Sequence, residues 1–130
     1  MGYIVDTYAF IEWFEKNNQN YKEYFDKKLV EEGAYITPLI LMELFFLIHR
    51  DKGEEKAKEF LKILNKYFKI IKVKQKTLIE TSIFRSQMYK KSIKMSYVDC
   101  MSCVLAKELK LKILTGDEHF RSLPNVEFIK

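Results

Sequence analysis

A short apolar run that ends in an aspartate constrains this chain more than any other feature. Tyr3, Ile4 and Val5 suit a β-strand, and Asp6 follows them directly, ahead of a segment with helical spacing of apolar residues. An apolar strand with a carboxylate at its exit is typical of the first strand of an α/β sheet. Such sheets bind ligands in the crevice beyond the carboxyl ends of their strands. We therefore expect Asp6 to lie in a functional crevice.

Length and composition indicate one folded domain over residues 1–130. Of the 130 residues, 48% are hydrophobic and 15% aromatic, which argues against disorder. No apolar run reaches the roughly 18 residues of a membrane span, and no secretory signal is apparent. The only cysteines are Cys100 and Cys103, so we expect no disulfide framework and a cytoplasmic protein.

The charge balance is basic. Lys and Arg number 23 against 18 Asp and Glu, which gives a net charge of +5, and lysines are grouped within residues 66–76 and 90–94. Basic proteins are attracted to polyanions such as nucleic acid in a salt-dependent way. A lysine-rich, well-solvated surface explains the same numbers, so charge alone does not select a nucleic-acid partner.

Strand-like and helical segments alternate along the chain. Alternation of this kind predicts a three-layer α/β/α fold with a central parallel sheet. The segment 39–49 is apolar nearly all round, which predicts a buried helix, and helix 76–90 should bury Ile79, Ile83 and Met88. The pattern predicts strands at 3–5, 34–36, 68–73, 112–114 and 126–129, and helices at 7–16, 21–32, 39–49, 54–66, 76–90 and 97–109.

Four acidic residues from distant parts of the chain are candidates for one pocket. Asp6 and Asp117 follow strands and Asp99 lies near a helix start, so each also suits a capping role. Glu43 is harder to explain, because its neighbours three and four residues away are apolar and none is basic. A carboxylate buried on such a face needs a partner or a cation. The face that carries Asp99 bears small residues that let its helix approach the sheet closely: Ser102, Cys103 and Ala106.

Carboxylates gathered in one pocket cannot all remain ionised without a cation. Oxygen-only ligands favour hard ions such as Mg²⁺ or Mn²⁺. These ions retain water molecules and bind phosphoryl oxygens. An acidic pocket on a basic protein therefore suits the hydrolysis of a phosphodiester, with lysines binding the backbone.

In their order along the chain, the same residues resemble the PIN domain, whose best-known small members are the VapC-type toxins of bacteria and archaea. The resemblance covers essentially the whole chain. Its motifs are Ile4-Val5-Asp6-Thr7, Leu41-Met42-Glu43-Leu44, Tyr97-Val98-Asp99 and Leu114-Thr115-Gly116-Asp117-Glu118-His119-Phe120.

This resemblance implies a divalent-metal-dependent endoribonuclease, for which the toxin of a toxin–antitoxin pair is one expected role. Asp6, Glu43, Asp99 and Asp117 match the acidic quartet of the family, which would hold Mg²⁺ or Mn²⁺ directly or through water and orient the attacking water. Besides RNA, the resemblance implies a second copy of the chain in a homodimer and an antitoxin protein as partners. It implies no membrane partner. At residues 100–103 the chain departs from the usual alanine-rich helix.

Three further residues support the quartet in this interpretation. Thr115 matches a hydroxyl position near the site, and Thr7 follows the first acid as Ser or Thr commonly does. Glu118 is a candidate for contact with an ion through water, although an exposed position explains it better. His119 is expected to be a solvent-exposed turn residue.

Alternatives of other classes stay open. One is a catalytically silent RNA-binding or scaffold protein with the same fold, and another is a housekeeping RNA-processing nuclease. A phosphatase with an aspartyl nucleophile is disfavoured because Tyr8 occupies the place of its second aspartate. A zinc site at Cys100 and Cys103 is disfavoured because the chain has no second cysteine pair.

Overall fold

Five short parallel strands form the central sheet of this protein. The computed structural model describes residues 2–130, and the strand order is β3-β2-β1-β4-β5 with every pairing parallel. The strands are β1 (Tyr3–Val5), β2 (Ala34–Ile36), β3 (Lys69–Ile70), β4 (Lys112–Thr115) and β5 (Val126–Phe128). From β1 the chain continues first to β2 and β3 on one side and later to β4 and β5 on the other. The boundary between β1 and β4 is therefore the switch point at which such sheets bind ligands.

Six α-helices within the described range flank the sheet and give the expected α/β/α layers. The first is short and continues through a π-helical turn (Ile11–Glu15), and a 3₁₀ turn at Glu118–Phe120 follows β4. The helices are α1 (Thr7–Phe10), α2 (Leu29–Glu32), α3 (Pro38–Lys52), α4 (Glu54–Tyr67), α5 (Gln75–Lys90) and α6 (Tyr97–Leu109).

The two helices that carry acids of the quartet begin where the sequence predicts. At the start of α3, the backbone N–H of Ile40 donates to the side-chain oxygen of Thr37 at 3.1 Å. Ser96 caps α6 in the same way, since its hydroxyl accepts from the N–H of Asp99 at 3.1 Å. These caps satisfy N–H groups that a helix start leaves without partners, and they fix the positions of Glu43 and Asp99 along their helices.

The prediction that α3 is buried nearly all round is wrong. Only Ile40 and Leu44 of this helix are buried, whereas Met42 is 65% exposed and Phe46 is 59% exposed. One stripe of the helix packs against the rest of the chain, and the opposite stripe presents large apolar side chains to the surface. Hydrophobic composition alone does not reveal whether a second chain covers such a stripe.

The interior face of α5 also differs from the prediction. Ile79 and Ile83 are 54% and 52% exposed, and the buried residues of α5 are Thr77, Thr81 and Met88. The hydroxyl of Thr81 donates to the carbonyl of Thr77 at 2.8 Å, which satisfies a buried polar group. The strand predicted at 68–73 is shorter in the structure, where β3 spans only Lys69–Ile70.

None of the helices in the described part of the chain has both the length and the apolar character needed to cross a bilayer.

Candidate active site

The acids that follow β1 and β4 are brought together by the register of these two strands. Val5 pairs with Leu114, and the N–H of Asp6 donates to the carbonyl of Leu114 at 3.1 Å. The Thr115 hydroxyl donates to Oδ2 of Asp6 at 2.7 Å and accepts from the N–H of Asp117 at 3.1 Å. One buried hydroxyl therefore connects the first acid of the chain to the last acid of the quartet.

Asp6 is a buried carboxylate rather than a helix cap. It stands at the N-cap position of α1 but its side chain makes no capping hydrogen bond, and the residue is only 3% exposed. Burial, followed by repulsion from Asp99, raises its pKa to about 7, while the Thr115 hydrogen bond acts in the opposite direction. Glu43 and Asp117 add further repulsion, so all three other acids lie within electrostatic range of Asp6.

Asp99 is half-buried in the first turn of α6, and the same electrostatics act on it. Burial is the largest influence and repulsion from Asp117 the next, and together they raise its pKa to about 6. Glu43, half-buried on α3, repels Asp99 as well. The fold thus gathers acids from α3, α6 and the exits of β1 and β4 at the switch point of the sheet.

No lysine or arginine among residues 2–130 forms an ion pair with Asp6, Glu43, Asp99 or Asp117. A histidine lies beside the group: Nδ1 of His119 is 3.2 Å from Oδ1 of Asp117. Donor atoms of Asp99, Asp117 and His119 all lie within 4.8 Å of one another. Several carboxylates without compensating positive charge, set around a buried Asp6, are a donor set that a divalent cation fits.

Two buried hydroxyls near these acids add to this fit. Oγ1 of Thr7, the residue after Asp6, and Oγ of Ser102, one turn after Asp99, lack hydrogen-bond partners within the described residues. Buried polar groups are nearly always hydrogen-bonded, so such exceptions accompany sites that take up water or an ion.

The remaining predicted residue, Glu118, is held on the exterior. It is exposed and makes two hydrogen bonds with Arg121, at 2.6 and 2.9 Å, as well as an ion pair with Lys130 at 3.1 Å. The hydrogen bond from Arg121, followed by that from Lys130, lowers the pKa of Glu118 to about 2. Its charge is therefore compensated outside the acid group.

His119 is the site residue that sequence reasoning did not select. Oδ1 of Asp117 accepts from the N–H of His119 at 3.0 Å and so caps the 3₁₀ turn. A side-chain cap of this kind brings the residue two positions later alongside the aspartate. The signal in the sequence was the spacing Asp117-Glu118-His119 immediately after a strand.

Known proteins resemble this chain in family and in fold. The model of the PIN domain family matches residues 3–126, while no curated protein matches the sequence significantly. The structure of VapBC2 from Rickettsia felis bound to a promoter DNA fragment has 19% identity and a TM-score of 0.79, covering 99% of this chain and 98% of that one. DNA-bound VapBC from Salmonella typhimurium has 17% identity and a TM-score of 0.80, with coverages of 99% and 97%. Mycobacterium tuberculosis VapC20, a toxin that cleaves the Sarcin-Ricin loop, has 17% identity and a TM-score of 0.75, with coverages of 99% and 100%.

Replacing the buried carboxylate should stabilise the metal-free protein. The pKa of Asp6 rises from 3.8 to about 7 on folding, so the folded chain binds this proton more tightly than the unfolded chain. Ionised Asp6 therefore lowers the free energy of unfolding progressively as the pH rises from about 4 to 7. We expect Asp6→Asn to raise the free energy of unfolding at pH 8 by on the order of 1–4 kcal/mol, and this gain to shrink toward pH 4.

Urea unfolding with a chelator present, at pH 8, 6 and 4.5, measures this effect. Asp26→Asn is the matched control, because Asp26 forms an exposed pair with Lys22 and should change stability by less than about 0.5 kcal/mol at every pH. A pH-independent effect of Asp6→Asn, or a loss of stability at pH 8, would contradict the argument.

Proposed function

This chain belongs to the PIN domain family, and we propose that it is a divalent-metal-dependent endoribonuclease that hydrolyses RNA phosphodiester bonds. The observation that carries the proposal is the gathering of Asp6, Glu43, Asp99 and Asp117 at the switch point of the sheet, with the pKa values of Asp6 and Asp99 raised by burial and by neighbouring acids. Carboxylates held in this way are stable as anions only when a cation joins them. A scaffold or RNA-binding role would not require such a group.

In this proposal, the acids have different roles in binding the ion and the attacking water. Asp6, Asp99 and Asp117 would hold Mg²⁺ or Mn²⁺, and Glu43 would contact the ion directly or through water. When bound, the ion supplies Lewis acidity toward a phosphoryl oxygen and a more acidic water. Thr115 holds Asp6 in one orientation through its 2.7 Å hydrogen bond, which pre-organises the ligands. Half-buried Glu43 would also help to orient the attacking water.

The RNA proposal is supported by a basic segment that directly precedes α6 in the chain. Lys90, Lys91 and Lys94 are exposed and precede the first turn of α6, which carries Asp99. The Nε of Arg85 donates to the carbonyl of Met95 at 2.9 Å and thereby ties α5 to this loop. Lysines on a loop of this kind attract phosphates without reading sequence.

An exposed aromatic ring lies in the same region. Tyr97 is 52% exposed, and the guanidinium carbon of Arg85 lies 4.3 Å from the centre of its ring. Bases of single-stranded nucleic acid stack on such rings with little sequence preference. A single-stranded segment with its phosphates on the lysines is therefore the substrate form that we propose.

We further propose that the protein is the toxin of a toxin–antitoxin pair. A groove of about 410 Å³ runs between the first helical segment, α3 and α4. Its apolar walls suit a hydrophobic segment of a partner protein, and VapBC complexes are among the similar structures. Charged side chains such as Arg50, Lys52 and Glu59 form the rim, and the apolar lining includes Phe10, Phe14, Leu44, Phe60 and Ile63.

A homodimer is the second assembly that we propose. Large apolar side chains are exposed on α3, at Met42 and Phe46, and on α5, at Ile79 and Ile83. Exposed apolar residues that concentrate on particular helices mark interaction surfaces. These residues differ from those lining the groove, so dimer and antitoxin contacts can form together.

The three aspartates of the quartet are tested by single isosteric substitutions. Asp6→Asn, Asp99→Asn and Asp117→Asn should each lower the rate of Mn²⁺- or Mg²⁺-dependent cleavage of a single-stranded RNA by on the order of 100-fold or more, because each removes a charge from the site. Circular dichroism should show an unchanged fold, and a chelator should abolish cleavage by the wild-type protein. Asp26→Asn should retain full activity.

Unchanged cleavage by all three variants would exclude this site from the reaction. Absence of cleavage by the wild-type protein, together with retained RNA binding, would favour the catalytically silent alternative.

The basic loop is tested by neutralising its lysines. The triple variant Lys90→Gln, Lys91→Gln and Lys94→Gln should weaken RNA binding, and the slope of log K against log salt should become shallower by up to about 2. The matched control is Lys107→Gln, Lys110→Gln and Lys112→Gln, which removes three lysines at the opposite edge of the sheet, where α6 ends and β4 begins. Equal losses of affinity and slope in both variants would indicate general charge attraction instead of a binding loop.

A pair of isoleucine substitutions distinguishes the groove proposed for the antitoxin from the surface proposed for the dimer. Ile63→Asp, in the groove, should abolish binding of a co-encoded antitoxin and leave the dimer intact. Ile79→Asp, on α5, should produce a monomer that still binds the antitoxin. A desolvated aspartate is costly at either interface, and sedimentation velocity with and without the antitoxin measures both properties. A monomeric wild-type protein would remove the dimer proposal, and a chain encoded without any antitoxin would favour the housekeeping nuclease.

A further inference from the structure

His119 lies beside the acids of the proposed nuclease site, with its Nδ1 3.2 Å from Oδ1 of Asp117. We propose, on the basis of that function, that His119 coordinates the ion beside Asp99 and Asp117 and makes the site prefer Mn²⁺ to Mg²⁺. The sequence interpretation assumed ligands that are all oxygen, and His119 changes that donor set.

The first support is distance. Donor atoms of Asp99, Asp117 and His119 already lie within 4.8 Å of one another without an ion. Two ligands on opposite sides of a small divalent ion are about 4.2 Å apart, since each bond is about 2.1 Å. Only a small contraction would bring all three donors into the coordination sphere of one ion.

The second support is the rigidity of the turn that carries His119. Its backbone N–H donates to Oδ1 of Asp117 at 3.0 Å, and the next residue, Phe120, is fully buried. Both contacts fix the backbone from which the imidazole of His119 extends, next to the acid group. The side chain itself is 56% exposed, so its position is not explained by packing in the core.

The third support is independent of His119. Asp6 is 3% exposed and, within the part of the chain that the structure covers, receives no ion pair, although Asp99 and Asp117 repel it. A buried carboxylate in this situation is stable as an anion only beside a cation, which neighbouring ligands would hold in place. His119 provides a neutral donor, which adds a ligand without adding to the repulsion among the acids.

The identity of the donor determines the expected metal preference. Mg²⁺ prefers oxygen ligands and retains most of its water. Mn²⁺ also takes oxygen ligands, but imidazole is a ligand of transition metals. As a transition metal, Mn²⁺ should gain more than Mg²⁺ from one imidazole nitrogen. The preference should therefore depend on His119 and should disappear when the imidazole is removed.

The chain offers a matched control for this test, because its only other histidine is His49. His49 is exposed near the end of α3, where its ring stacks on Phe45. The experiment uses untagged full-length protein as wild type, His119→Ala, His119→Gln and His49→Ala. Each is loaded with one equivalent of Mn²⁺ and examined by pulsed electron paramagnetic resonance for modulation from a coordinated ¹⁴N nucleus. Calorimetric titrations with Mn²⁺ and with Mg²⁺ give the two affinities.

We expect imidazole nitrogen modulation in the wild type and in His49→Ala, and none in either His119 variant. The Mn²⁺ affinity of both His119 variants should fall about tenfold or more, with a much smaller change for Mg²⁺. Circular dichroism should be identical for all four proteins, and the Gln variant preserves a polar side chain on the turn.

Nitrogen modulation that is absent from the wild type, or retained in His119→Ala, would overturn the inference. In that case Mn²⁺ binding and RNA cleavage by the wild type would leave the proposed nuclease function standing. A wild-type protein that binds neither metal would overturn the inference and the metal-dependent function together.

Discussion

The parallel pairing of β1 with β4 is the constraint on which the arrangement of the site depends. These strands are apolar and buried, with Ile4, Val5, Ile113 and Leu114 fully inaccessible, so a shift of one residue would turn polar groups into the core. The register that results places Asp6 beside Thr115, and the Thr115 hydroxyl then contacts both Asp6 and the N–H of Asp117. The core thus selects the geometry of the strand exits, where the proposed chemistry would take place.

A site of this kind works against the stability of the chain that carries it. Burial and mutual repulsion raise the pKa values of Asp6 and Asp99 to about 7 and about 6, and both effects oppose ionisation in the folded state. Elsewhere the same protein compensates its charges. Lys16, for example, lies 3.0 Å from the buried Glu12, which also accepts a hydrogen bond from Asn18. The contrast between Glu12, which has partners, and Asp6, which faces other acids, is the physical reason to regard the acid group as functional.

Local signals in the sequence were sufficient for most of the fold, and they nominated the quartet of acids. Thr37-Pro38 and Ser96 fixed helix starts, and carboxylates at strand exits indicated one edge of the sheet. What failed depended on contacts between distant segments. The apolar stripe of α3 at Met42 and Phe46 is at the surface, Thr77 and Thr81 replace Ile79 and Ile83 on the inner face of α5, and β3 pairs over only two residues. Periodicity shows that a helix has an apolar face, but it does not show which neighbour covers that face.

The turn after β4 shows how an anionic substrate is able to approach an anionic site. Asp117 and His119 lie beside the acid group, while Glu118 between them is turned to the exterior and held by Arg121 and Lys130. The cation of Lys130 also lies near the ring of Tyr8 and within 3.4 Å of the carbonyl of Gly116. The charge of Glu118 is consequently compensated at the surface, whereas the charge of the acid group is left for a bound ion to neutralise. Outside the pocket, the lysines before α6 would attract the phosphates of the proposed RNA substrate. A polyanion would then bind to the surface, and the pocket would remain for the proposed metal ion.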